Sequence, residues 1–187
     1  MKWFLSACVA AVFLVGCANS PQQITLAPKT LHEGQNQGAG AAVNIMGIDA
    51  RQELVVGSRG GTYKDTALIT VGNDAGAALA AVVSSGLKEM GFVADAQAPV
   101  QLTVSLLDLR LTSPSQYYQS HLILNAGISV VAKKANETYK GSYKGMIDNK
   151  TLTSADAEDT SRLINSALDQ AVARLFEDEA LLHFIAN

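Results

Sequence analysis

Three histidines, His32, His121 and His183, are the side chains of this sequence best suited to act as bases near neutral pH. A nucleophilic site would need one of them beside an activated hydroxyl or thiol and an orienting acid. The spacing does not supply that set. His121 opens a strand-like segment, and His183 lies in the apolar C-terminal run 180–185, where packing is the common role. Ser84 and Ser85 fall in mid-helix without a Gly-x-Ser-x-Gly elbow. Gly72-Asn73-Asp74-Ala75-Gly76 joins a strand to a helix, a geometry that can hold phosphate. It lacks the Gly-Lys-Ser/Thr ending, and Asp74 would repel an anion. Asp156 with Glu158, and Asp178 with Glu179, read as helix-end charges rather than as a pair of glycosidase acids. Two cysteines and scattered histidines cannot build a four-ligand zinc site. The expectation is a chain with no catalytic residue, no metal and no cofactor.

Binding chemistry has better candidates. Asp49 and Arg51 lie two apart at the end of a strand, so both project from one face. They could meet the charges of a partner, or pair with each other. Tyr117 and Tyr118 follow Pro114 in a polar loop, where exposed tyrosines make good partner anchors. Tyr139 and Tyr143 are expected to pack on a sheet. Charge is uneven: residues 133–150 carry five lysines against Glu137 and Asp148, whereas the segment from Ser154 onward is acidic. A basic hairpin could face an anionic partner, and ordinary solvated surface explains it equally well.

The clearest chemistry is covalent, at Cys17. Lys2 precedes an apolar run from Trp3 to Val15, broken only by Ser6. As a helix this run spans roughly 20 Å, short of the roughly 30 Å hydrocarbon core, so it reads as a secretory signal and not as an anchor. It ends in Leu14-Val15-Gly16-Cys17, which resembles a bacterial lipobox. That resemblance implies diacylglycerol on the Cys17 thiol, cleavage between Gly16 and Cys17, and acylation of the new amine. Each buried methylene contributes about 0.8 kcal/mol, so several acyl chains hold a protein on a membrane almost permanently. Residue 18 is Ala, not Asp, which resembles an outer-membrane sorting signal.

The elements that must position these groups follow from composition and period. The chain has 187 residues, 48% hydrophobic and 17% charged, which suits one domain with a real core. Its net charge of −3 argues against a nucleic-acid partner, which calls for basic stripes. Residues 1–16 are expected as signal peptide and 17–40, rich in Pro, Gln, Asn and Gly, as a lipidated flexible tether in which Ile24-Thr25-Leu26 could pair as a strand. Residues 41–187 are expected as a single periplasmic domain. Alternation predicts strands over 41–49, 54–56, 67–71, 100–111, 122–132 and 138–147, with a bulge near Leu106 and Leu107 where the phase slips, and a turn at 133–136. Apolar steps of three and four predict helices over 73–90, closed by Gly91, and over 154–176, with a last apolar turn near the C-terminus. The order predicts an α+β two-layer sandwich: a mostly antiparallel or mixed sheet with two main helices on one face.

The lipobox, Gly47-Ile48-Asp49-Ala50-Arg51, Lys88-Glu89-Met90-Gly91-Phe92, Val100-Gln101-Leu102-Thr103-Val104 and His183-Phe184-Ile185 together resemble the YajG family of bacterial lipoproteins. The resemblance implies an envelope lipoprotein and assigns no catalytic residues. The leading expectation is therefore a non-enzymatic lipoprotein of a Gram-negative outer membrane, its domain facing the periplasm and binding an envelope protein as an accessory factor. The alternative is a carrier or chaperone for a lipid-like or glycan ligand. An envelope hydrolase is the remaining reading.

Overall fold

The computed structural model describes residues 21–30, 36–58, 67–114, 120–151 and 156–187. Its strands are β1 (Gln22–Ile24), β2 (Ala42–Asp49), β3 (Val55–Ser58), β4 (Leu68–Val71), β5 (Val93–Ala94), β6 (Val100–Thr112), β7 (Ser120–Lys134) and β8 (Glu137–Thr151). Its helices are α1 (Ala75–Glu89), α2 (Ala157–Phe176) and α3 (Glu179–Ala186). The large sheet has the order β5-β2-β6-β7-β8. It is mixed, with β2 parallel to β5 and β6, and β6, β7 and β8 antiparallel in turn. A smaller sheet, β1-β4-β3, was not expected; it joins the neighbouring strands β3 and β4 in antiparallel and adds β1, far from β4 in sequence, in parallel. The α+β sandwich is the fold observed, with α1 against β2 and β6 and α2 against β7 and β8.

Sequence explains the elements locally. Asp74 accepts a hydrogen bond from the Ala77 amide and caps α1; Asp156 does the same for α2 through Asp159. Gly91 adopts φ +84°, and the Phe92 amide bonds back to the Leu87 carbonyl at 2.9 Å. This is a Schellman ending, and it buries Phe92 against the core. On β6 the register shifts between Leu106 and Asp108, so both Leu106 and Leu109 face the core across the bulge.

Small residues set the layer spacing. A Cβ on Gly47 would collide with the Gly76 carbonyl of α1, and one on Gly145 with the Ala167 carbonyl of α2. Each helix thus crosses the sheet over a glycine, and the Phe176 ring lies on Gly86 of α1. Ile164, Leu168, Val172 and Leu175 of α2 are sealed against β7 and β8.

The stretch expected as a tether is docked wherever it is described. Ile24 and Leu26 are each 2% exposed. The Leu26, Ala27 and Lys29 amides donate to Asn73, Asn165 and Asp169. Further on, the Gly38 amide donates to the Met90 carbonyl at 2.8 Å. Composition marked 17–40 as polar, but two buried side chains and these backbone bonds are enough to fix its described parts, residues 21–30 and 36–40, on the rest of the domain. The folded unit reaches back to Gln22, ahead of the boundary expected at residue 41.

The β7–β8 turn is tight, Lys134 pairing with Glu137, and Ala135 takes φ +49°. That conformation costs an L-residue about 1–2 kcal/mol, part of which glycine recovers against its own greater unfolded entropy. Ala135→Gly is expected to stabilise the protein by about 0.5–1 kcal/mol, read as a rise in the thermal midpoint.

Candidate partner surface

The helices cover one face of the large sheet and leave the other open. The register defines its rows: Met46 beside Thr103, Val131 and Lys140, then Ile48 beside Ser105, Ser129 and Ser142. Next come Asp108, Gly127 and Lys144, and then Arg110, Asn125 and Met146. Among these small and polar side chains stand four large apolar ones: Met46 (57% exposed), Ile48 (41%), Met146 (58%) and, at the bulge, Leu107 (46%). Lys133, Lys140, Lys144 and Lys150 all fall on this face, so the basic hairpin noted in the sequence is a basic side of the open sheet. Exposed apolar side chains within a polar rim mark interaction surfaces more often than solvated ones.

The free edge of the sheet, β8, is partly closed. Arg174 Nη1 donates to the Lys144 carbonyl at 2.5 Å, and Gln170 Oε1 accepts from the Met146 amide at 3.2 Å. Both reach round from α2 to satisfy groups that an added strand would use, and edge lysines further discourage strand pairing. Contact through the face is favoured over contact through this edge.

Asp49 and Arg51 pair with each other. Arg51 Nε donates to Asp49 Oδ1 at 2.8 Å and Nη2 to Oδ2 at 2.7 Å, a two-point bond. The Arg51 side chain is 3% exposed and that of Asp49 25%. Arg51 Nη1 is buried without a hydrogen-bond partner among the described residues. Arg51 borders a small cleft of about 100 Å³ lined also by Glu53, Val55, Leu107, Asp108 and Arg110. Arg110 lies 3.7 Å from both Glu53 and Asp108.

The hydrogen bonds from Arg51 hold the Asp49 carboxyl below its ordinary 3.8. A depressed carboxyl contributes its stability above the ordinary range, and that contribution fades as pH falls through the lowered value. Asp49→Ala leaves the buried guanidinium unpaired, which costs about 3 kcal/mol at neutral pH. The gap between variant and wild type is expected to narrow below about pH 4, as Asp49 itself protonates. Urea unfolding across pH 2.5–7 checks this.

The remaining sequence candidates are placed as follows. Gly16, Cys17, Tyr117 and Tyr118 lie outside the described residues. Tyr139 and Tyr143 both donate to Asp178 Oδ2, at 2.5 and 2.6 Å. Burial would raise the Asp178 carboxyl, but these two bonds together with those from the Leu181 and Ala180 amides outweigh it and hold it low. Asp178 also caps α3, so the tyrosines fasten that helix to β8. His121 Nε2 lies 2.8 Å from Asp148 Oδ1 across the β7–β8 pair, at the start of β7. His183 bonds Asn187 on α3, which packs near the opposite, hairpin end through Asp178. The two histidines therefore belong to different places. Among the described residues, no group of three or more His, Cys, Asp or Glu is arranged to hold a metal. Nor is any described helix long and apolar enough to cross a membrane.

A family model described as an uncharacterized lipoprotein matches residues 28–186, nearly the whole folded unit. The chain belongs to the YajG family of lipoproteins. No curated protein matches it. Among solved structures it is similar to a protein of Xanthomonas campestris assigned to a family of unknown function, with 11% identity, 88% of this chain and 95% of that one covered, and a TM-score of 0.55. A hypothetical protein of Chlamydia trachomatis covers 80% of this chain and 100% of its own at 11% identity, with a TM-score of 0.44. A putative neuraminyllactose-binding hemagglutinin homolog of Helicobacter pylori covers 88% and 94% at 10% identity, with a TM-score of 0.39. The Xanthomonas likeness shows the YajG-type chain to share an α+β fold found elsewhere, and it shows the fold alone.

Four exposed apolar residues on the sheet were missed as a set by sequence reading. A signal was present: Met46 and Ile48 occupy the phase opposite Val43 and Ile45, where polar residues are the rule, and Met146 interrupts a row of lysines.

Proposed function

We propose that the chain is a non-enzymatic accessory lipoprotein, anchored by lipid on Cys17 to the outer membrane and facing the periplasm, which binds an envelope protein through the open face of its large sheet. The observation that carries this reading is the group Met46, Ile48, Leu107 and Met146, exposed on a sheet face with a basic side. Membership of a lipoprotein family and the Gly16-Cys17 lipobox support the anchor. The carrier alternative calls for a cavity between sheet and helices. That interface is closed at Gly47 and Gly145 by direct contact with the backbone of α1 and α2, which weighs against it.

A photo-crosslinking amino acid placed at Met46 or Met146 in the full chain, expressed in its own cells, tests the surface. The expected result is one defined protein adduct from both positions and none from Lys88, exposed on the helix side. Adducts of equal yield from Lys88 would overturn the choice of face.

A further inference from the structure

The docked start of the chain fixes how far the domain can stand from its anchor. Gln22 is held at both ends of its side of the molecule: its backbone pairs with Ile69 in β4, and its Nε2 donates to the Ala157 carbonyl at 2.8 Å. Only four residues lie between Cys17 and Gln22. Fully extended, that stretch spans at most about 17 Å. It is a short strap, and the described parts of the polar segment that would have supplied a long tether are docked instead, residues 26–29 on the side chains of Asn73, Asn165 and Asp169, and Gly38 on the Met90 carbonyl after α1.

The same end of the molecule gathers other termini. Ile69 pairs with Gly57 on its other side, and Gly57 abuts the Leu111 backbone near the end of β6. Gln22 is therefore about two strand spacings, roughly 10 Å, from Gly57, with Ser113 just beyond. The start of β7, the end of β8 and the N-terminus of α2 lie at this end as well. The β7–β8 turn at Ala135 and Asn136, with α3 fastened near it, lies at the other. Eleven residue steps along β7, from Ile123 to Lys134, separate the two ends by about 37 Å.

We propose that the domain is seated on the lipid surface by its β1/α2 end, with the β7–β8 turn and α3 directed away. This rests on the lipid anchor at Cys17 proposed above. The occupant of that end is the bilayer itself, since a 17 Å strap leaves little room for another protein beneath it. The described side chains there carry both signs, Asp156 and Glu158 beside Arg110 and Lys150, so the strap and not net attraction to anionic headgroups holds the seat. The seat places the open sheet face beside the membrane, within reach of a partner that is embedded in it or lies against it.

The mature chain has no cysteine other than Cys17, so single introduced cysteines give unique labels. The full lipidated protein, carrying a donor dye at Ser113→Cys or Asn136→Cys, is reconstituted into phosphatidylethanolamine/phosphatidylglycerol vesicles with headgroup-labelled acceptors. With the ends about 37 Å apart, energy transfer from position 113 is expected to exceed that from 136 by about twofold or more. Inserting twenty Gly/Ser residues between Ser20 and Pro21, about 25 Å of flexible chain, is expected to reduce transfer at 113 and shrink the difference. Equal transfer from both positions in the protein with its natural strap would overturn the seat, whether the domain swings freely or lies flat. Flotation separates this from failure of the anchor: a wild-type protein that does not float with vesicles refutes the lipid reading, while one that floats without a gradient refutes only the seat.

Discussion

Exchanging residues 1–17 for a cleavable secretory signal that lacks the cysteine is expected to move the protein from the membrane to the soluble periplasmic fraction. The argument is one of magnitude. At about 0.8 kcal/mol per buried methylene, a single acyl chain binds marginally and two or more hold firmly. Nothing else described in the molecule replaces them. No described helix is long and apolar enough to cross a bilayer, and the end nearest the anchor carries acidic and basic side chains together. The wild-type protein is accordingly expected to resist high-salt washing, because screening weakens electrostatic adsorption and leaves acyl insertion intact. Fractionation of cells expressing each form decides it. An exchanged chain that still sediments with membranes would require a second attachment, and the open sheet face with its lysines and methionines would be the place to look.

The second large effect is structural. Gly145→Val is expected to destabilise the protein by about 4 kcal/mol or more, enough to abolish folding of a marginal domain. A side chain here meets backbone and not the end of a flexible neighbour. The Ala167 carbonyl lies inside contact distance, and the Ala171 amide is 3.0 Å from the new Cβ. Relief would require lifting α2 and exposing Ile164, Leu168, Val172 and Leu175, each at most 1% exposed. Gly127→Ala provides the control on the neighbouring strand. Its Cβ would meet the Asp108 Cβ at 3.5 Å, an ordinary contact on the open face. That change is expected to stay within about 1 kcal/mol of wild type. Urea unfolding of the mature chain without its lipid measures both.

Local chemistry was legible in the sequence and distant pairing was not. The bulge could be read because a period-two pattern slipped by one residue at Leu106 and Leu107, which has no other simple cause. The end of α1 could be read because Gly91 followed an apolar stripe and Phe92 followed Gly91. The small sheet could not be anticipated: β1 and β4 are short, pair in parallel, and are separated by more than forty residues, so neither carries a local mark of the other. Docking of the segment after Gln22 was hidden for a related reason. Its backbone is satisfied by the side chains of Asn73, Asn165 and Asp169, none of which is near it in sequence. Asp49 and Arg51 stood out as a polar pair on one face; which of two roles they take depended on how deeply Arg51 is enclosed, and that is a property of the packed molecule. An open sheet face was expected from two helices on one side; the grouping of Met46, Ile48, Leu107 and Met146 on it became visible only when five strands were set side by side.

The most direct test of the central claim compares the lipidated wild-type chain with Met46→Glu/Met146→Glu in the cells that make it. Both residues are more than half exposed, so the pair can be replaced without disturbing the core. Proteins crosslinked to each form are quantified by mass spectrometry, with membrane fractionation and thermal unfolding run on the same preparations. The account predicts an envelope protein recovered with wild type and reduced by about tenfold or more with the variant, a loss of about 1.4 kcal/mol of binding. Membrane association and folding are expected to be unchanged. An undiminished partner on the doubly substituted face would contradict the account.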